Sequence, residues 1–186
     1  MHAAILGSYD EAHRAYHTRR HLDECLSLLQ EVRDLCQHPD EVTLALWFHD
    51  VVYDPHQGDN EARSAAWLVR VAEEAGVDPV SIARMQALVM ATCHAASPEG
   101  RDAQVLVDID LAIVGAQAER FDEYERQIRL EYQWVDETIY RKVRGKLLGE
   151  FLARAFLYST PQFKQRFEAA ARSNLERSIG QLLASA

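Results

Sequence analysis

Val105-Leu106-Val107-Asp108-Ile109 is the one stretch of this chain that could be a β-strand, being short and β-branched. A strand needs a partner, and an isolated pair is marginal in water at best. Nothing else in the chain offers that partner. The same residues also continue a helical pattern that runs from Asp102 to Val114 and stops at Gly115. They are therefore assigned to a helix, and with them the chain falls in the all-α class. It is expected to be one domain over residues 1–186, a bundle of about six to eight helices.

Working outward, the period stays helical. A first helix is predicted from about Ser8 to Cys36, with room for a break near His17. Its inward stripe is His21, Cys25, Leu28, Val32 and Leu35, at alternating spacings of four and three. Ser8 and Glu11 have capping-box spacing. Pro39-Asp40-Glu41 suits a second helix start. Its stripe is Val42, Ala45, Leu46, His49 and Tyr53, and it should stop near Asp54-Pro55, since the residue before proline disfavours helix. Turn residues fill Asp54 to Asp59. A third helix from about Asn60 to Ala75 ends at Gly76, and a fourth runs from Asp78-Pro79 to about His94. Beyond about Ala118 the pattern gives two or three amphipathic helices with a break at Ser159-Thr160-Pro161. The aromatic residues Tyr132, Trp134, Tyr140, Phe151, Phe156 and Tyr158 are expected mainly in the core.

The 186 residues carry 20 Lys+Arg against 29 Asp+Glu, a net charge of -9, with 48% hydrophobic residues. That apolar content excludes disorder as the main state. The acidic balance, without a basic cluster, argues against a nucleic-acid polymer as partner. No stretch approaches the roughly 20 apolar residues of a membrane span, so no membrane is implied. The N-terminus lacks the basic start of a secretory signal. Three cysteines without a C-x-x-C pair read as reduced thiols in a cytoplasm.

The informative residues are polar ones on apolar stripes, because a buried titratable group must be paired, hydrogen-bonded or metal-bound. His21 lies mid-stripe on the first helix and His49 on the second, with Asp50 bordering the same face. On the fifth helix the wheel puts Asp110 among Leu106, Val107, Ile113 and Val114, and Asp108 on the opposite side, so Asp110 is expected to be the more buried. Mixed His/Asp sets suit divalent transition metals with positions open to water or substrate. Such a metal acidifies water and polarises a phosphoryl oxygen. Residue by residue, ordinary explanations hold at least as well: a satisfied core histidine, or an aspartate that caps a helix.

The ordered pattern His21, His49-Asp50, Asp110 resembles the HD-domain superfamily of metal-dependent phosphohydrolases, and most closely its small bacterial branch of predicted HD phosphohydrolases. The resemblance is carried by Tyr16-His17-Thr18-Arg19-Arg20-His21, Trp47-Phe48-His49-Asp50-Val51-Val52-Tyr53-Asp54-Pro55, Asn60-Glu61 with Ser64-Ala65, Thr92 with His94, and Asp108 to Gly115. Weaker likeness extends through Arg144 to Phe151 and Ala171 to Leu175. It implies an HD-type helical bundle with His21, His49, Asp50 and Asp110 as metal ligands, hydrolysing a nucleotide or other small phosphate ester. Some HD relatives instead hold two irons and oxidise substrates, so the fold does not fix the reaction. Two departures stand out. Tyr53-Asp54 replaces the acidic pair of alarmone-hydrolysing members, and the adjacent His pair of two-metal relatives is absent, with His94 as the residue that could reach a second ion.

The expected cofactor is a divalent transition metal (Mn, Fe, Co, Ni or Zn, with Mg also open). The expected substrate is a small phosphorylated metabolite or nucleotide. Asp54 or Glu61 would take or relay a proton, though Asp54 could simply begin the turn and Glu61 could be a first-turn acid. His17, His94 and Arg144 are candidates for substrate contact, against a polar rim residue, a helix-end cation and a solvated arginine respectively. Cys25 is expected to be inert. A homodimer is left open. The rival classes are a metabolite-sensing module without turnover and an iron-dependent oxygenase.

Overall fold

The computed structural model describes residues 2–184, which form nine α-helices, two 3-10 turns and no strand. They fall into two compact units, one ending at Asp110 and the other beginning at Leu111. The first holds α1 (His2–Ser8), α2 (Arg19–Val32), α3 (Pro39–Phe48), α4 (Asn60–Glu74), α5 (Pro79–Ala91) and α6 (Arg101–Asp110). The second holds a 3-10 turn (Leu111–Gly115), α7 (Ala118–Glu131), α8 (Glu137–Leu152) and α9 (Pro161–Ala184). No helix among the described residues is long and apolar enough to cross a membrane.

In the first unit α3 is central, packing on α2, α4, α5 and α6. Val42, Ala45 and Leu46 of α3 are fully buried, as are Leu29 of α2, Val89 of α5 and Leu106 of α6, the helices it packs on. Val105 to Ile109 are helical and all buried. A helix covered on every side needs no polar face, which is why this stretch resembles a strand by composition. Asp78 caps α5 by accepting from the N–H groups of Val80 and Ser81, each at 3.0 Å. Gly76, at φ 73°, closes α4 in the left-handed conformation expected of it.

Several helix ends differ from expectation, among them that of α6, which stops at Asp110 and gives way to the 3-10 turn Leu111–Gly115. The helix predicted from about Ser8 begins only at Arg19, as α2, and the residues before it, His2–Ser8, form a separate helix, α1. Ser8 therefore caps nothing; its hydroxyl bonds back to Ala4 O at 3.3 Å. The second helix ends at Phe48 and not near Pro55. Side chains take the carbonyls that further turns would use: His49 Nδ1 donates to Leu46 O at 2.7 Å and the Tyr9 hydroxyl to Trp47 O at 3.1 Å. α5 ends at Ala91, short of His94, which stands at φ 52°.

In the second unit, Asn174 of α9 donates to Val114 O and Ala116 O, each at 2.9 Å, tying the 3-10 turn to that helix. Buried Arg144 of α8 donates to the Tyr124 hydroxyl at 2.9 Å and to the Glu125 carboxylate, both on α7. Tyr140 and Tyr158 are core residues as expected. Trp134 and Phe156 are not, at 53% and 59% exposure: one lies in the α7–α8 turn and the other after α8, where the Lys164 ammonium of α9 sits 4.1 Å from the Phe156 ring centroid.

Candidate metal centre

His21 projects from the inward stripe of α2, His49 follows the last residue of α3, Asp50 comes next, and Asp110 ends α6. Their donor atoms converge. His21 Nε2 and His49 Nε2 lie 3.0 Å apart. Asp50 Oδ2 is 3.4 Å from the first and 3.1 Å from the second. Asp110 Oδ1 is 3.3 Å and 3.6 Å from the same two nitrogens. Donors sharing one cation through bonds of ~2.1 Å stand ~3.0 Å apart at right angles and ~3.4 Å apart in a tetrahedron. Four of the five separations fall in that interval, and the fifth, His49 Nε2 to Asp110 Oδ1 at 3.6 Å, lies just above it.

The far side of each ring has a hydrogen-bond partner. His49 Nδ1 donates to Leu46 O, so Nε2 presents its lone pair to the cluster. His21 Nδ1 is 3.0 Å from the buried Tyr16 hydroxyl, which can accept its proton and leave Nε2 free in the same way. Such outer partners orient metal-binding imidazoles and raise their basicity.

Cys25, one turn after His21, belongs to the same group: His21, Cys25, His49 and Asp110 each offer a donor within 4.8 Å of the others. Its Sγ is 3.7 Å from His21 Nδ1 and 3.8 Å from Nε2, hence beside the ring and off the Nε2 lone-pair axis. Burial pushes its thiol pKa up, and the Asp110 and Asp50 carboxylates add to this. The four groups form a buried His/Cys/His/Asp cluster that could hold a metal ion.

The electrostatics fit a cation. Burial opposes charge on Asp50, but His49, His17 and His21 outweigh it and hold its carboxyl well below the usual range. Burial is likewise overcome at Asp110, by hydrogen bonds from His21 and His94 and by the charge of His49. Burial lowers the pKa of His21, yet Cys25, Tyr16, Asp110 and Asp50 raise it well above the ordinary value. His49 is raised as well, against burial, by Asp50 and Asp110. Two carboxylates that stay ionised beside two basic imidazoles need either two protons or one divalent cation for neutrality. A set of two nitrogens and two oxygens is a donor set for first-row transition ions.

The neighbouring residues are placed as follows. His94 Nε2 donates to Asp110 Oδ2 at 3.0 Å, the oxygen turned away from His21 and His49. His17 stacks on Tyr53 with ring centroids 4.0 Å apart, and its ring meets His21 edge-on at 6.1 Å. Asp54 does begin the turn: its Oδ1 accepts from His56 N–H at 2.9 Å and its carbonyl from Gln57 N–H at 3.0 Å. Glu61 lies in the first turn of α4, and its carboxylate adds to the burial that pushes up the thiol pKa of Cys93, the residue before His94. Arg144 is held in the second unit by Tyr124 and Glu125. The expected order of burial of the two aspartates is reversed: Asp108 is 0% exposed, and the Asp110 side chain 14%. From Val105 to Ile109 α6 is covered all round, so this stretch of its wheel has no solvent side on which to place Asp108.

Sequence reasoning missed Arg14, Tyr16 and Ser64. Tyr16 and Ser64 lie inside the motifs that carry the resemblance; for Arg14 no local pattern announces a buried guanidinium. No protein-family model, curated protein or solved structure matches this chain.

Proposed function

We propose that the chain is an HD-type phosphohydrolase that holds a divalent transition metal through His21, His49, Asp50 and Asp110 and cleaves a nucleotide or another small phosphate ester. The observation that carries this is the meeting of two Nε2 atoms and two carboxylate oxygens from three helices at 3.0–3.6 Å, with the Nδ1 of each ring engaged behind. Asp50 is preferred to Cys25 as the fourth ligand, because the thiol stands beside the His21 ring while Asp50 Oδ2 faces both Nε2 atoms.

When bound, such an ion supplies a Lewis acid that polarises a phosphoryl oxygen and acidifies water. The protein supplies the rest. His94 holds Asp110 by its outer oxygen. His17, stacked on Tyr53 and edge-on to the His21 ring, is placed to meet the substrate. Glu61 is the better candidate to move a proton, since the Asp54 carboxylate is occupied by its own turn.

Elemental analysis of purified protein and release of inorganic phosphate from a panel of nucleotides and sugar phosphates test this together. Roughly one equivalent of metal, lost in His49→Ala, with phosphate released from some panel member, is the expected result. Metal without release from any ester would point to a sensor or an oxygenase; a metal-free protein would end the proposal.

A further inference from the structure

Between Leu46 and Asp54 the main chain leaves regular helix while carrying His49 and Asp50, and side chains meet its polar groups almost one by one. Trp47 O accepts from the Tyr9 hydroxyl and Leu46 O from His49 itself. Ser64 Oγ accepts from Val52 N–H at 3.0 Å and donates to Val52 O at 3.3 Å. His13 Nε2 donates to Tyr53 O at 2.7 Å. The Asn60 side chain takes Asp54 N–H and Asp54 O, each at 3.0 Å.

The carbonyls of Asp50 and Val51 go to Arg14. Its Nη1 donates to Asp50 O at 2.7 Å and to His17 O at 3.0 Å, and its Nη2 to Val51 O at 3.1 Å. Nε donates to Glu11 Oε2 at 3.0 Å. The side chain is 0% exposed, and the rings of Tyr9 and Tyr53 have their centroids 5.3 Å and 5.5 Å from the guanidinium carbon. Burying a guanidinium is costly, and a well-packed apolar residue is often as stabilising, so bulk packing does not account for it. Its rigid planar fork does: one group reaches three carbonyls on two separate segments. One segment carries Asp50. The other carries His17 and leads into α2, which carries His21.

Resting on the metal centre proposed above, we infer that Arg14 is its positioning residue. It locks the main chain at Asp50 to the entry of α2, so that the Asp50 carboxylate and the His21 imidazole are set at ligand spacing before any ion arrives. Arg14 touches neither ion nor substrate; it acts through Asp50.

The test is the dissociation constant of Co²⁺, measured by competition with a chromophoric chelator on metal-free protein. Wild type, Arg14→Lys, Ser64→Ala and Met85→Ala are compared. Met85, buried in α5 and outside the loop in sequence, serves as a variant that loses core packing. Lysine keeps the charge and loses the fork, so Arg14→Lys is expected to weaken Co²⁺ binding about tenfold or more, as loss of a group behind a ligand does. Ser64→Ala is expected to weaken it less, and Met85→Ala to leave it unchanged. Arg14→Lys binding within about twofold of wild type, or Met85→Ala losing as much, overturns the inference. Should Arg14→Lys not fold, an unchanged constant in Ser64→Ala overturns it instead. Failure of the wild type to bind Co²⁺ is a different result: it removes the metal centre, and Arg14 has nothing to position.

Discussion

A metal held by His21, His49, Asp50 and Asp110 must stabilise the fold that assembles them, because the four ligands come from α2, the end of α3 and the end of α6, and no unfolded chain brings them together. An ion that binds only the native state contributes RT ln(1 + [M]/Kd), about 2.7 kcal/mol at a hundredfold excess over Kd and about 4.1 kcal/mol at a thousandfold. For a chain of 186 residues each kcal/mol moves Tm by about 2–4 °C, so a hundredfold excess should raise Tm by about 5–11 °C. Chelator-treated protein titrated with Mn²⁺, Co²⁺, Ni²⁺ or Zn²⁺ in a thermal melt measures this directly. His49→Ala should show no rise. Asp50→Asn should lose most of it, whereas Cys25→Ser should keep it, since the thiol lies off the His21 lone-pair axis. No shift with any of the four ions, or an equal shift in His49→Ala, refutes the centre. A shift abolished by Cys25→Ser and kept by Asp50→Asn would exchange the two ligands.

Three further outcomes are expected. Tyr16→Phe removes the partner of His21 Nδ1 and should weaken metal binding by about tenfold, read from the same titration. Gly115→Ala would put a Cβ 2.7 Å from both Cβ and carbonyl O of Phe167 and 2.8 Å from the Tyr158 hydroxyl. A backbone oxygen on α9 cannot yield as a side-chain tip can, so the cost should reach about 3 kcal/mol, a fall in Tm of about 6–12 °C; an unchanged melt would disprove the contact. Glu41→Gln breaks the pair in which Arg84 Nε donates to Glu41 Oε2 at 2.7 Å, the contact that chiefly holds the Glu41 carboxyl below its ordinary value. A pKa depressed by folding stabilises above the unfolded value of about 4.3 and ceases to as pH falls through the folded one. Glu41→Gln should therefore cost about 0.5–1 kcal/mol at pH 7, and chemical denaturation should find the gap from wild type closing in acid.

The all-helical class was legible because the period survives nearly everywhere, and the one stretch that obscured it, Val105 to Ile109, is a helix with no exposed face. His21 and His49 were legible for the opposite reason: each is a polar residue on an otherwise apolar stripe. What local periodicity cannot carry is the far partner. Nothing near Arg14 says that it will reach Asp50 O, 36 residues on. The burial order of Asp108 and Asp110 escapes a helical wheel, which assumes a solvent side that α6 lacks between Val105 and Ile109.

The premature end of α3 shows most plainly how the misread parts and the site belong together. A helix continued to Pro55 would keep His49 and Asp50 in register, with adjacent side chains pointing ~100° apart around the axis. Two adjacent residues so placed do not readily face one small ion. The chain avoids this by leaving the helix at Phe48: His49 keeps helical angles and turns its own Nδ1 back to Leu46 O, while Asp50 enters the turn and brings Oδ2 to 3.1 Å from His49 Nε2. The cost of that departure is a run of carbonyls without helical partners, which Tyr9, Arg14, Ser64, His13 and Asn60 meet. The irregular loop and the buried arginine are thus two consequences of one requirement, that two neighbouring residues in the sequence reach a common point in space.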